Sequence, residues 1–242
     1  MKTLERPAFY ALRSGGWRDY VTLLHPPYMA WHLSYVVIGA AAAPRVHWDR
    51  LGYALGAFFL AVGVAAHALD ELRGRPLRTT IPGAALWTLS TAGLLGGLAL
   101  GILGMVLVSV WLWPFVAFGL FIAAAYNLEW FKGRLHNDFW FAAAWGAVPV
   151  ATTYWAMAKD FTLGAALLTT FGLATSLAQR RLSTRVRSLR RRAVRISGEI
   201  AYRDGGAEAV TIDSLVDAPE AALRWLAAGM VLLASGWIAL RI

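Results

Sequence analysis

The sequence contains no cysteine, and charged residues make up only 15% of it. The absence of cysteine excludes disulfides, thiolate metal sites and a cysteine nucleophile, so a metal site would have to use histidines and carboxylates. The scarcity of charge accompanies a hydrophobic fraction of 58%, which is not the composition of a soluble globular domain. We therefore expect an integral membrane protein.

Acidic residues are fewer than basic ones, and the net charge is +9. The basic residues lie between apolar segments and no nucleic-acid-binding motif accompanies them, so we interpret them as determinants of topology and lipid contact. Binding of nucleic acid is not expected. The stretch from Met1 to Asp19 is too polar to hold the apolar core of a signal peptide, so we expect no cleaved leader.

Long apolar runs predict about seven membrane-spanning helices. The longest run, Ile81 to Trp130, has no charge before Glu129, and at 1.5 Å per residue it would extend roughly 75 Å, more than twice a bilayer core. It must hold two helices, with a turn near Gly101 to Gly104. The other predicted spans are 28–43, 51–72, 139–158 with Pro149 as a kink, 162–178 and 221–240.

These spans predict an all-α, polytopic membrane helix bundle. Its predicted parts are a cytoplasmic lead-in (1–27), a six-helix membrane core (28–179), a basic cytoplasmic segment (180–220) and a C-terminal transmembrane helix (221–242). Within the basic segment, Asp204-Gly205-Gly206 suggests the turn of a small hairpin. A cytoplasmic N-terminus places most Lys and Arg residues on the inner side, as expected for a plasma-membrane protein.

The first polar cluster ends the second span. His67, Asp70 and Glu71 have the spacing i, i+3, i+4, which puts their side chains on one face of a helix. Ionisable groups at membrane depth indicate a functional site by default. The alternative is that the helix leaves the bilayer here, with Arg73 and Arg75 at the lipid head groups.

The second polar cluster, residues 126–138, lies at the end of the fourth predicted span, which closes the run Ile81 to Trp130. We expect it on the same face of the membrane as the first cluster. Carboxylates suit Mg²⁺ or Mn²⁺, and added imidazoles favour Mn, Fe or Zn. The alternative is that Glu129 pairs with Lys132 or Arg134 and that Asp138 caps the fifth helix. The candidate metal ligands from both clusters are His67, Asp70, Glu71, Glu129, His136 and Asp138.

Two further features have simpler interpretations. His32 stands alone in the first span, and we expect it to be a hydrogen-bonded packing residue. The stretch from Arg180 to Arg195 holds eight arginines and no acidic residue, which predicts a cationic surface segment.

The order of these features resembles the UbiA superfamily of membrane prenyltransferases, whose second span ends in Asn-Asp-x-x-Asp-x-x-x-Asp. Here His67 falls at the Asn position, Glu71 at the middle Asp and Arg75 at the last, and Arg75-Pro76-Leu77 resembles the family's tail. Tyr126 followed by Lys132, and the stretch 146–149 (Gly-Ala-Val-Pro), are also similar to family features. The chain departs from the family pattern in three respects. Ala68 stands where the first Asp of the motif belongs, and about seven spans are predicted rather than nine. Arginines occupy the place of a second Asp-rich motif.

The resemblance implies a UbiA-like fold and metal-assisted prenyl transfer, or related chemistry, on an isoprenoid or other long-chain lipid at the cytoplasmic face, with Mg²⁺ as cofactor. Its implied catalytic residues are Asp70, Glu71 and Tyr126, and its implied phosphate-binding residues are Arg73, Arg75, Arg78, Lys132 and Arg134. One alternative is a metalloenzyme on the same scaffold, with Fe, Mn or Zn used for hydrolysis or oxidation. The other is a lipid-binding scaffold without catalysis.

Overall fold

The computed structural model describes residues 6–242, so the first five residues of the predicted cytoplasmic lead-in lie outside the described part of the chain. That part folds into eight helices and one short hairpin. The helices are α1 (Trp17–Leu23), α2 (Pro26–Ala42), α3 (Trp48–Leu72), α4 (Gly83–Leu107), α5 (Val110–Asn127), α6 (138–158), α7 (Leu163–Arg192) and α8 (Ile212–Ala239).

Four of these helices, α3, α4, α5 and α8, are long and apolar enough to cross a membrane. The prediction of a mostly helical membrane protein is thereby confirmed. The count of about seven spans stays a prediction.

Two helices contain a widened, π-helical stretch. Helix α3 widens over Phe59–Ala66 before a last α-helical turn, His67–Leu72, and α6 widens over Ala143–Ala147 before Val148–Ala158. Pro149 has no N–H to continue the regular ladder, which accounts for the irregularity in α6 that the sequence predicted as a kink. Such stretches are frequent at functional sites.

Side-chain caps mark the starts of α6 and α8. The Asn137 side chain accepts a hydrogen bond from Trp140 N, so Asn137, and not Asp138, caps α6. Thr211 and Ser214 form a capping box, and α8 therefore begins well before the predicted span 221–240.

The turn inside the long apolar run lies at Val108 and Ser109, beyond the glycines where we expected it. Those glycines belong to α4 instead. Close packing uses them there: a Cβ at Gly101 would stand 2.8 Å from Val116 Cγ1 of α5. Earlier in α4, a Cβ at Gly93 would stand 2.6 Å from the Leu60 carbonyl oxygen of α3, so only glycine permits that approach.

Helix α2 occupies the centre of the bundle. Trp31, Tyr35 and Ile38 are fully buried and pack against Val150 of α6 and Met230 of α8. Because α2 is surrounded by other helices, any polar group on it must be satisfied by the protein or by a ligand.

Helix α6 lies directly against α7. A Cβ at Gly146 would overlap the Gly172 carbonyl oxygen, so the two backbones touch. Helix α7 runs unbroken from Leu163 to Arg192, which means that much of the arginine segment continues a helix packed on the bundle.

The predicted hairpin is confirmed. Strands β1 (Glu199–Ala201) and β2 (Ala207–Ala209) pair antiparallel, with Ile200 opposite Glu208, and all six residues are exposed.

Candidate functional site

A cavity of about 360 Å³ lies at the end of the bundle where α2 begins and where α3 and α5 end. We call it the polar cavity. It brings together His67 and Asp70 from the first predicted cluster with Tyr126 and His136 from the second. The expectation that the two clusters meet on one side of the bundle therefore holds for these four residues.

Three histidines in the polar cavity are oriented by backbone carbonyls. The Nδ1 atom of His32 lies 3.0 Å from Trp145 O, that of His67 lies 3.1 Å from Gly63 O, and that of His136 lies 3.0 Å from Tyr126 O. A carbonyl oxygen can only accept a hydrogen bond, so each Nδ1 carries the proton and donates it.

A fourth histidine stacks on this group. His25 precedes the two prolines of α2, has a left-handed backbone (φ 48°), and places its ring 4.1 Å from that of His67. Its Nε2 atom is buried without a hydrogen-bond partner among the described residues. Burial, together with His67 and the arginines of α7, lowers the pKa of His25 well below its usual range.

One wall of the polar cavity consists of arginines from α7. Arg180, Arg187 and Arg191 are spaced i, i+7, i+11 and so share one helix face, while Arg181 and Arg185 point outward and are exposed. We call the three inward residues the arginine wall. Arg192 also lines the cavity at its outer edge.

Within residues 6–242, Arg180 is the one member of the arginine wall with a carboxylate partner. The Nε atom of Arg180 lies 3.3 Å from Asp138 Oδ1, Arg187 donates to Thr184 Oγ1, and Arg191 donates to Pro7 O. Burial lowers the pKa of Arg187, and the neighbouring positive charges of Arg180 and Arg191 lower it further. Three guanidinium groups on one wall of the cavity attract an anion.

Among the described residues, Asp70 is the one carboxylate in the lining of the polar cavity. It is half-buried, and no ion pair to it is found within residues 6–242. It faces the histidines at the end of α3 and stays available to a ligand.

Glu71, predicted to share the metal with Asp70, lies elsewhere. Its side chain is fully buried, and its carboxylate accepts hydrogen bonds from Leu77 N, Thr79 N and Thr79 Oγ1, each at 2.8–2.9 Å. It holds the loop that links α3 to α4 and does not line the polar cavity.

The other two predicted carboxylates are engaged in ion pairs. Glu129 Oε2 accepts from Arg73 Nη2 at 2.7 Å, and not from Lys132 or Arg134 as the alternative interpretation proposed. Asp138 interacts with Arg180 and with Arg181.

The predicted phosphate-binding residues do not line the polar cavity. Arg73 is held by Leu128 O and Glu129, and Arg75 donates to Ile81 O at 2.6 Å. The remaining three, Arg78, Lys132 and Arg134, are exposed.

Tyr126, predicted to be catalytic, stacks on the ring of His136 with centroids 4.3 Å apart. Its hydroxyl group is buried without a partner among the described residues. The rings of Phe141 and Trp145 stack beside it and form an apolar floor for the polar cavity.

The six predicted metal ligands are not assembled into one site. Within residues 6–242, no group of three or more His, Asp or Glu side chains is placed to hold a metal ion. Three of the four predicted carboxylates already satisfy amides or guanidinium groups. A bound divalent metal remains a prediction from the sequence. The described residues do not form a ligand set that fits such an ion, so we assign it no step of the reaction.

A second, apolar cleft of about 110 Å³ lies between α3, α4, α5 and α6. Alanines, glycines and phenylalanines form most of its walls, among them Ala57, Gly101 and Phe115. Phe58 lines this cleft and also packs against the residues beneath the polar cavity.

Sequence reasoning missed the arginine wall, Gln179 and His25. The signal for the wall was present, because i, i+7, i+11 is a helical spacing, whereas the arginines were interpreted only as a charged surface. His32 proved to be hydrogen-bonded as expected, but it also lines the polar cavity.

The fold and the cavity define the class: a mostly helical membrane protein with a cationic, histidine-rich cavity at one end. Comparison of the chain with models of protein families, with curated proteins and with solved structures finds no match.

Proposed function

We propose that the protein is a UbiA-like membrane enzyme that binds an isoprenoid or similar long-chain lipid by a phosphate-bearing head group and transfers the chain. The observation that carries this proposal is the arginine wall, which faces His67 and Asp70 across one cavity at the end of apolar helices. The proposal includes the predicted seven spans and the cytoplasmic N-terminus.

The arginine wall supplies the positive charge for this chemistry. Guanidinium groups form paired, charge-assisted hydrogen bonds to phosphate oxygens, and in a site screened from water such bonds stabilise a departing diphosphate. Arg187 and Arg191 would thus take the part that the resemblance assigned to Arg73 and Arg75.

Asp70 and His67 supply a base. In chain transfer, the carbon–oxygen bond to the diphosphate breaks, a bond from that carbon to the acceptor forms, and the acceptor's proton goes to a base. Asp70 is the carboxylate at hand, and the Nε2 lone pair of His67 is a second base at the same helix end.

The hydrocarbon chain has an apolar path beside this head-group site. Phe141 and Trp145 form the floor of the polar cavity, and Phe58 connects the packing beneath that floor to the apolar cleft. Apolar walls with a few convergent polar groups are typical of lipid and cofactor sites.

The test is calorimetric binding of farnesyl diphosphate and of farnesol to the full chain in detergent. We expect the diphosphate to bind, and Arg187→Met to weaken it roughly 10- to 100-fold, the value of a charge-assisted hydrogen bond. Arg185→Met is the matched control, because Arg185 lies on the same helix but points outward. Equal binding of the two lipids, or equal effects of the two variants, would contradict the proposal.

Turnover separates an enzyme from a lipid-binding scaffold. With a membrane lipid extract as the source of acceptor, the wild type should release diphosphate from farnesyl diphosphate, and Asp70→Asn should slow this release while still binding. Binding without release by the wild type would favour the scaffold.

A further inference from the structure

The polar cavity contains more hydrogen-bond acceptors than a phosphorylated lipid alone has donors to satisfy. We propose that the ligand held by the arginine wall also carries free hydroxyl groups, so that the site takes a polyol phosphate, such as a glycerol or sugar phosphate ester. This inference rests on the proposed function and adds a substrate class to it.

The first observation concerns the histidines. His32, His67 and His136 each donate Nδ1–H to a backbone carbonyl. In a neutral imidazole the proton on Nδ1 leaves the Nε2 atom with a free lone pair. Three acceptors of the same kind are therefore fixed around one cavity.

The second observation is a set of buried polar atoms that lack partners. Gln179 Oε1, His25 Nε2 and Tyr126 Oη are all buried without a hydrogen bond within the described chain, and all three residues line the polar cavity. Gln179 is 2% exposed, so its carbonyl oxygen has no access to bulk solvent. Buried polar atoms are rarely left unpaired, and a group of them indicates a ligand.

Phosphate oxygens can accept a hydrogen bond from the Tyr126 hydroxyl, but they cannot satisfy the acceptors in the cavity. An ionised phosphate or diphosphate accepts hydrogen bonds and suits the arginine wall, but it has no proton to offer Gln179 Oε1, Asp70 or an imidazole Nε2. Hydroxyl groups both donate and accept. A head group with a phosphate at one end and hydroxyls at the other satisfies the two sides of the cavity together.

The size of the cavity agrees with such a head group. A volume of about 360 Å³ is at the lower end for small-molecule sites, which suits a compact polyol phosphate beside the end of a lipid chain.

The experiment compares glycerol 3-phosphate with propyl phosphate, which has a similar shape but no hydroxyl groups. Isothermal titration of the full chain in detergent should show glycerol 3-phosphate binding at least about tenfold tighter, because a site built for hydroxyls leaves its own groups unpaired with the analogue. Pyrophosphate serves as a third ligand that probes the arginine wall alone.

Two variants remove acceptors while keeping side-chain size. Gln179→Met and His67→Phe should each reduce the preference for glycerol 3-phosphate several-fold, and the affinity for propyl phosphate should stay within about twofold. Ser176→Ala is the matched control for Gln179→Met, because Ser176 is buried on the same helix as Gln179 but does not line the cavity. Thermal unfolding of each variant checks that it is folded.

The outcomes distinguish this inference from the proposed function. If pyrophosphate binds but glycerol 3-phosphate and propyl phosphate bind equally, the acceptors are occupied by water and the inference is wrong, while the arginine wall keeps its role. If the Gln179 and His67 variants keep the full preference, the inference is also wrong. If none of the three compounds nor farnesyl diphosphate binds, the proposed function fails and the inference with it.

Discussion

The imidazole rings of His25 and His67 stack with their centroids 4.1 Å apart and an interplanar angle of 23°. The contact joins the residue just before α2 to the last turn of α3, and both rings line the polar cavity. Two rings that face each other this closely cannot both be protonated without repulsion, and the arginine wall adds positive charge nearby.

His25 should therefore make stability depend on pH. Its folded-state pKa lies well below 6.5, so below pH 6.5 the unfolded chain binds a proton that the folded chain does not. The free energy of unfolding should fall as the pH is lowered from about 7.5 towards 5.

Thermal unfolding of the detergent-solubilised protein over this pH range measures the effect. His25→Asn removes the titrating ring, and asparagine tolerates the left-handed backbone found here. The variant should show a shallower slope of unfolding temperature against pH, whatever its absolute stability. Identical slopes in wild type and variant would contradict the prediction.

The sequence predicted that four site residues lie at the same end of the bundle, because apolar runs show where each membrane helix begins and ends. His67 and Asp70 end one apolar run, Tyr126 ends another and His136 follows it, so an even number of crossings puts both pairs on one side. That they share one cavity also requires the helices to be neighbours, which hydropathy does not show.

The orientation of the Glu71 side chain could not be predicted in the same way. Helical spacing places it near His67 and Asp70, but its carboxylate is captured by amides of a loop that folds back over the helix end. That capture depends on left-handed backbone at Arg75 and Arg78, for which neither residue type gives a local signal.

Glu71 should act as a structural residue. Glu71→Ala would leave two buried backbone N–H groups, those of Leu77 and Thr79, without an acceptor, at a cost of about 2–5 kcal/mol in unfolding free energy. Glu71→Gln keeps one acceptor oxygen and should cost less.

Hydrogen exchange of the loop at 73–80 and thermal unfolding report this effect. The folded fraction of Glu71→Gln should bind farnesyl diphosphate within about twofold of wild type. If a Glu71 variant lost ligand binding while its stability was unchanged, Glu71 would instead belong to the binding site.

The ion pair between Arg190 and Glu220 fixes α7 against α8. Arg190 Nη2 lies 2.8 Å from Glu220 Oε2, and both side chains are nearly buried. The hydrogen bonds to Glu220 raise the pKa of Arg190. Because Arg187 and Arg191 flank Arg190, this pair sets the rotation that turns them into the polar cavity.

Glu220→Ala should cost about 3–5 kcal/mol in unfolding free energy, since it leaves a buried arginine without this carboxylate. Arg224→Ala is the matched control: Arg224 lies 3.9 Å from the same carboxylate but is exposed, and its loss should cost about 1 kcal/mol or less. Thermal unfolding measures both. Equal effects of the two substitutions would show that the buried pair is not what holds the helices.

Removal of divalent metal ions tests whether the diphosphate is bound by the arginine wall or by the metal site that the sequence predicted. Glu71, Glu129 and Asp138 already satisfy amides or guanidinium groups, whereas three guanidinium groups face the polar cavity. We therefore expect affinity for farnesyl diphosphate to change by less than about twofold on adding EDTA, while raised salt weakens it by screening the charges. Elemental analysis of the purified protein, beside His67→Ala and Asp70→Asn, completes the measurement. Tightly held Fe, Mn or Zn that is lost in both variants would contradict this expectation, and it would favour a metalloenzyme on the same scaffold.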